Sequence, residues 1–127
     1  MHYTVIPSDD GKYVIVSVTG EVTTETAREY TVAANERASE WKLRNFLIDL
    51  RDAVNTQSTL TNYEYAYEEM PKQNLSTTAR VALLVAPEDH SHDFIELVSR
   101  NAGYNVRLFR NADQAVAWLQ KIAAVAP

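Results

Sequence analysis

The sequence predicts an α/β domain built on a five-stranded mixed sheet flanked by four helices, and three observations carry that expectation. Short apolar runs at residues 46–50, 81–86 and 106–109 alternate with stretches of helical periodicity, the pattern of parallel strands joined by crossover helices. Two β-branched runs near the amino end flank an Asp-Gly turn and form a hairpin that extends the parallel core. A chain of 127 residues has the size of one domain, 1–127, with a single core.

Each element follows from its local chemistry. Tyr3, Thr4, Val5 and Ile6 read as the first strand, which Pro7 stops before the turn Ser8-Asp9-Asp10-Gly11. Residues 13–18 are nearly continuous in apolar character, as expected of a strand covered on both faces, and Gly20 ends them. From Thr23, a capping residue, to about Trp41 the period becomes helical, with Ala27, Tyr30, Ala34, Ala38 and Trp41 on one face and Glu25 at the positive end of the dipole. The small alanines predict a helix seated close to the sheet.

After the third strand a helix is expected from Leu60, with Thr61 and Glu64 in capping-box spacing and Leu60 stapled to Tyr65. Its apolar stripe is Leu60, Tyr63, Tyr67 and Met70, and Pro71 ends it. Residues 81–86 are the most buried strand by composition. Ser91 then caps a helix carrying Phe94, Ile95, Val98 and Ala102, closed by Gly103. The fifth strand precedes a last helix in which Asn111 and Gln114 stand three apart and Ala115, Trp118, Leu119 and Ile122 are buried. The order β-β-α-β-α-β-α-β-α implies right-handed crossovers and helices on both faces of the sheet.

Composition removes several classes of function. A net charge of −5 argues against nucleic acid and against an anionic membrane surface as partners. With no cysteine, disulfides, thiolate metal sites and cysteine nucleophiles are excluded. The amino end lacks the basic-then-apolar pattern of a secretory signal and no run approaches a membrane span, so a cytoplasmic location is expected. Only 3 glycines are present, with no phosphate-binding loop and no nucleophile elbow. The chain therefore reads as non-enzymatic, without a cofactor.

Several local sequences resemble the SpoIIAA-like, or STAS-like, proteins related to anti-sigma factor antagonists. They are Val18-Thr19-Gly20-Glu21-Val22-Thr23, Leu47-Ile48-Asp49-Leu50-Arg51, Arg80-Val81-Ala82-Leu83-Leu84-Val85 and Gly103-Tyr104-Asn105-Val106-Arg107-Leu108-Phe109 followed by Ala115-Val116-Ala117-Trp118-Leu119. The resemblance covers nearly the whole chain and implies a protein–protein interaction module in a regulatory setting, with a partner such as an anti-sigma-type kinase. In those antagonists an Asp-Ser-Ser-Gly-like motif follows the central strand, and its first serine is reversibly phosphorylated. The matching stretch here is Gln57-Ser58-Thr59-Leu60, with Ser58 at the serine position, Gln57 for the aspartate and Leu60 for the glycine. The family also resembles lipid-exchange domains, which implies an alternative: a small apolar or lipid-like ligand between the tyrosine-rich helix and the sheet, lined by Tyr63, Tyr67 and Phe94.

The candidate residues gather where the third strand is expected to deliver a polar loop to the carboxyl edge of the sheet. Ser58 and Thr59 are the candidates for phosphorylation; their plain role is capping. Arg51, Asp52, Gln57, Leu60, Tyr63 and Tyr67 form the expected partner-binding surface. Arg51 either holds an anion or pairs locally with Asp49 and Asp52. Asp89-His90-Ser91-His92-Asp93 concentrates metal-capable side chains, with His2 a further donor, but its position at a helix start favours capping, and no metal is expected. A homodimer on the sheet edge or an exposed helix face is compatible with so much apolar surface.

Overall fold

Strand order across the sheet is the same as order along the chain in a computed structural model, which describes residues 2–73 and 75–121. Strand β1 (His2–Pro7) pairs antiparallel with β2 (Val14–Val22). Strands β3 (Phe46–Asn55), β4 (Arg80–Leu84) and β5 (Asn105–Phe109) continue the sheet in parallel. The helices are α1 (Thr24–Trp41), α2 (Thr59–Glu64), α3 (Asp93–Asn101) and α4 (Ala112–Gln120). Helix α2 runs on through a π-helical turn (Tyr65–Glu69) into a 3-10 turn (Met70–Gln73). The mixed five-stranded α/β architecture is the one the sequence predicts.

The two faces of the sheet are covered unequally. On one, Val14, Val16, Val18, Phe46, Leu50, Leu83 and Val106 pack beneath α1, the α2 segment and α3. On the other, Leu47, Ala82 and Leu84 meet Ala115 and Leu119 of α4 alone. Arg107 extends this second layer, its guanidinium lying 5.5 Å from the centre of the Trp118 ring. Helix α4 lies over β3, β4 and β5, and at the margin of its layer Ile15 and Ser17 of β2 stay partly exposed. The expectation of a β2 covered on both faces is thus corrected.

Several boundaries also move. Gly20 does not end β2: it takes a positive φ of 99°, and the strand, after a register shift between Ser17 and Thr19 in which β3 carries the extra residue, pairs onward to Val22. That extension supplies a partner for β3, which runs to Asn55, so Arg51 and Asp52 lie within the strand rather than at its exit. Thr23 caps α1 as expected, exchanging hydrogen bonds with Thr26. Ser58, not Thr61, caps α2, accepting from the Thr61 amide at 3.1 Å. Helix α3 begins at Asp93, and Ser91 caps nothing because its hydroxyl is taken by β3. Gly103, at φ 101°, closes α3, and Asn111 caps α4 by accepting from the Gln114 amide. Ile122 lies outside the described residues.

The largest correction concerns α2. Three of the four residues of its expected buried stripe face solvent, with Leu60 65% exposed, Tyr63 48% and Tyr67 39%, while the fourth, Met70, is buried as expected. The inward face is Asn62, Tyr65, Ala66 and Met70. A pair of truncations separates the two faces. Leu84→Ala, in the filled second layer, should cost about 2–5 kcal/mol in urea unfolding, whereas Leu60→Ala should fall within about 0.5 kcal/mol of wild type.

Candidate functional site

The carboxyl end of β3 organises the site. Strand β4 pairs with β3 only as far as Asp49, so the edge of β3 beyond that point has lost its strand neighbour. Backbone groups left there need other partners, and the turn before α3 supplies them. The Asn55 amide donates to Ser91 Oγ at 3.0 Å. His92, 1% exposed, places Nε2 3.0 Å from the Ala53 carbonyl, and the bond requires the proton on Nε2. Asn55 then reaches the other way: its side-chain amide donates to Asn62 Oδ1 at 2.9 Å, and its Oδ1 accepts from the Gln57 amide at 3.0 Å. One asparagine thereby anchors α2 and α3 to the same strand.

Below this hub, α1, the α2 segment and α3 do not close on the sheet. A cavity of about 390 Å³ remains, within the ~300–1,000 Å³ usual for small-molecule sites. Phe46, Ile48, Leu50, Val81, Leu83 and Val106 form its floor. Tyr30, Ala34 and Ala38 of α1 wall one side, and Tyr65, Met70 and Gln73 wall the other. The alanines seat α1 close to β2 and β1 as expected, and the same small side chains also border the cavity. Burial pushes the Tyr30 hydroxyl far above its ordinary range, as it does less strongly for Tyr65, where Thr31 and Gln73 oppose it.

Three polar pairs join α1 to the α2 segment over this cavity. Thr24 donates its hydroxyl to the Gln57 side-chain carbonyl, Arg28 pairs with Glu69 at 2.9 Å, and Thr31 meets the Tyr65 hydroxyl at 3.4 Å. Positions 24, 28 and 31 share one helix face, so the three pairs form a continuous seam.

The predicted site residues divide. Gln57 lines the cavity and belongs to the seam. Ser58 and Thr59 are exposed at the start of α2, with Ser58 Oγ also 2.9 Å from Thr61 Oγ1. Leu60, Tyr63 and Tyr67 form an outward strip in which the two tyrosine rings stack at 4.6 Å. Tyr63, Tyr67 and Phe94 do not line the cavity; Phe94 packs against the main core instead.

Arg51 forks onto Asp49 at 2.9 and 2.7 Å, while Asp52 is exposed in the strand. Burial pushes the Asp49 carboxyl up, but the Arg51 side chain and amide outweigh it and hold the group below 3.8. In the turn before α3, His90 pairs outward with Asp93 at 2.8 Å while His92 points inward. No three His, Asp or Glu side chains converge as a metal site among the described residues.

Sequence reasoning missed Asn55, Asn62, Tyr65 and Gln73. An asparagine at a helical position flanked by Leu60 and Tyr63 was the available signal for Asn62, since such a residue needs a partner when it turns inward.

A mixed sheet with this order, three helical segments on one face and one helix on the other, defines a class of α/β domain before any relative is considered. The SpoIIAA-like family model matches residues 13–120, and the chain belongs to that family. A solved structure of an uncharacterised DUF3478-family protein with a SpoIIAA-like fold from Shewanella loihica is similar at a TM-score of 0.54 and 18% identity. The similarity covers 93% of this chain and 92% of that one and concerns the fold. No curated protein matches the sequence. No helix among the described residues is long and apolar enough to cross a membrane.

Two measurements probe the site's polar framework. Asn62→Ala leaves the buried Asn55 amide unpaired and should cost about 1–3 kcal/mol in urea unfolding. Asp93 is held below 3.8 chiefly by its hydrogen bond to His90, against burial and with help from Arg110. A depressed carboxyl stabilises the fold above the ordinary value and loses that contribution as pH falls through the lowered native one. Both partners are well exposed, so Asp93→Asn should flatten the acid limb of the stability–pH curve by less than about 1 kcal/mol.

Proposed function

We propose that this SpoIIAA-like chain is a non-enzymatic, cytoplasmic binding module whose ligand is a small, mainly apolar or lipid-like molecule held between α1, the α2 segment and the sheet. The observation that supports this reading best is the cavity itself. Protein interiors are ordinarily filled to crystal-like density, and a void of about 390 Å³ forfeits contacts along its whole lining. An apolar guest restores them. The aliphatic floor supplies affinity without direction, while the amides and hydroxyls around it orient the guest. The seam of three polar pairs suits a boundary that opens, since such pairs exchange with water more readily than packed apolar side chains.

A second reading rests on the outward strip of Leu60, Tyr63 and Tyr67 beside Ser58. Stacked, exposed tyrosines next to an exposed leucine are the composition of a protein contact surface. A protein partner, an anti-sigma-type kinase by family analogy, or a second copy of this chain would dock there. Phosphate on Ser58 or Thr59 would place negative charge at the margin of that strip and weaken or redirect the contact.

The readings separate experimentally. Ala34→Phe fills the cavity from α1 and should lower uptake of the neutral dye phenylnaphthylamine at least about tenfold, by fluorescence titration, with the strip untouched. Tyr63→Ser and Ser58→Asp should leave dye uptake within about twofold of wild type while reducing self-association in light scattering or partner retention in a pull-down.

A further inference from the structure

One polar group in the cavity has its hydrogen-bonding capacity unused. Gln73 closes the 3-10 turn after the π-helical turn, and both polar atoms of its side-chain amide are buried with no hydrogen-bond partner among the described residues. Buried amides are nearly always satisfied, because removing one from water without compensation is costly. The neighbours are already engaged. Asn62 is taken by Asn55, the Tyr65 hydroxyl meets Thr31, and the Ser99 hydroxyl donates to Met70 Sδ at 3.7 Å. Gln73 stands near enough to Tyr65 to oppose the upward shift of its hydroxyl, yet neither of its polar atoms completes a hydrogen bond of normal geometry.

The amide also dictates what would satisfy it. A primary carboxamide presents a carbonyl acceptor and an N–H donor on one edge. A partner carrying an acceptor and a donor side by side completes both bonds at once in a planar, two-point arrangement. A charged head group is disfavoured. No acidic side chain lines the cavity among the described residues, Arg44 is exposed and bonded to Thr78, and His92 is held by the Ala53 carbonyl. An ion beside Gln73 would lie among apolar side chains, and the cation bordering the cavity, Arg44, is exposed to solvent, where its charge is screened.

We propose that Gln73 reads the ligand's polar head, and that the head is a neutral group with adjacent donor and acceptor, as in a carboxamide, on an apolar tail. The tail lies over Ile48, Leu50, Val81 and Leu83, and the π-helical turn carries Gln73 to the wall facing them. This inference rests on the ligand-binding reading above and adds the chemistry of the head.

Competition against phenylnaphthylamine tests it with decanamide and methyl decanoate, which share a tail but differ in that the ester can only accept. On wild type, decanamide should displace the dye at about tenfold lower concentration than the ester, the ratio that one additional buried hydrogen bond provides. In Gln73→Leu the two should compete within about twofold, and the variant should melt no lower than wild type because its unpaired amide is gone. Gln73→Met, which keeps the side chain's length, serves the same purpose if the leucine variant fails to fold. Equal displacement on wild type, or an amide preference that survives both variants, overturns the head assignment while leaving the cavity reading intact. Failure of dye, amide and ester alike to bind wild type overturns both.

Discussion

The overhang of β3 past the end of β4 is the constraint on which the rest of the molecule depends. Beyond Asp49 the strand keeps β2 on one side and has no strand on the other among the described residues, yet Leu50, Ala53 and Asn55 on its inward face are buried. Exposed backbone groups at such an edge must be satisfied or they destabilise the fold. The turn before α3 takes the place of the missing strand, with Ser91 on the Asn55 amide and His92 on the Ala53 carbonyl. Asn55 passes the constraint to α2 through Asn62, and Gln57 passes it to α1 through Thr24. Three helical segments are thus positioned by polar bonds to one strand end rather than by close packing alone, which is how a cavity persists beneath them.

The parts of the fold legible from residues were those dictated by nearby chemistry. The apolar runs around Leu47, Leu83 and Val106 read as strands because burial on both faces leaves little else for them to be. Thr23, Asn111 and Gly103 sit at helix ends whose geometry asks for those residue types. The misreadings share a different cause. Ser91 has the composition of a cap but serves a backbone amide on a distant strand, a demand invisible from its own neighbours. On α2 Leu60, Tyr63 and Tyr67 are more apolar than Asn62, Tyr65 and Ala66, so periodicity put those three on the wrong side and only Met70, past the π-helical turn, on the right one. Asn62 decides the true orientation, and it does so through Asn55, which no local pattern joins to it.

The candidate site was legible in location and not in content. Gln57 was singled out and does border the cavity, but its role in the seam depends on Thr24, across the helix layer. The alanines of α1 illustrate the ambiguity most plainly. Small residues on a buried face permit close approach when the partner surface advances, and they create space when other bonds hold it back. Here they do both, packing α1 against β2 and bordering the cavity. Gln73 carried no signal at all, since glutamine near a proline at the end of a helix is ordinary surface chemistry until the turn is seen to fold inward.

Unequal covering of the sheet has a mechanical consequence. The face beneath α4 is a filled two-layer contact, joined over β3, β4 and β5 by interlocked aliphatic side chains. The opposite face is roofed by helices tied at their rims by the polar pairs of Thr24, Arg28 and Thr31. Parting those rims leaves every strand pairing in place, so opening the roof locally requires less free energy than taking the sheet apart. On the ligand-binding reading, the sheet is then a stiff floor and the helices above it a ceiling that admits a guest without unfolding the chain.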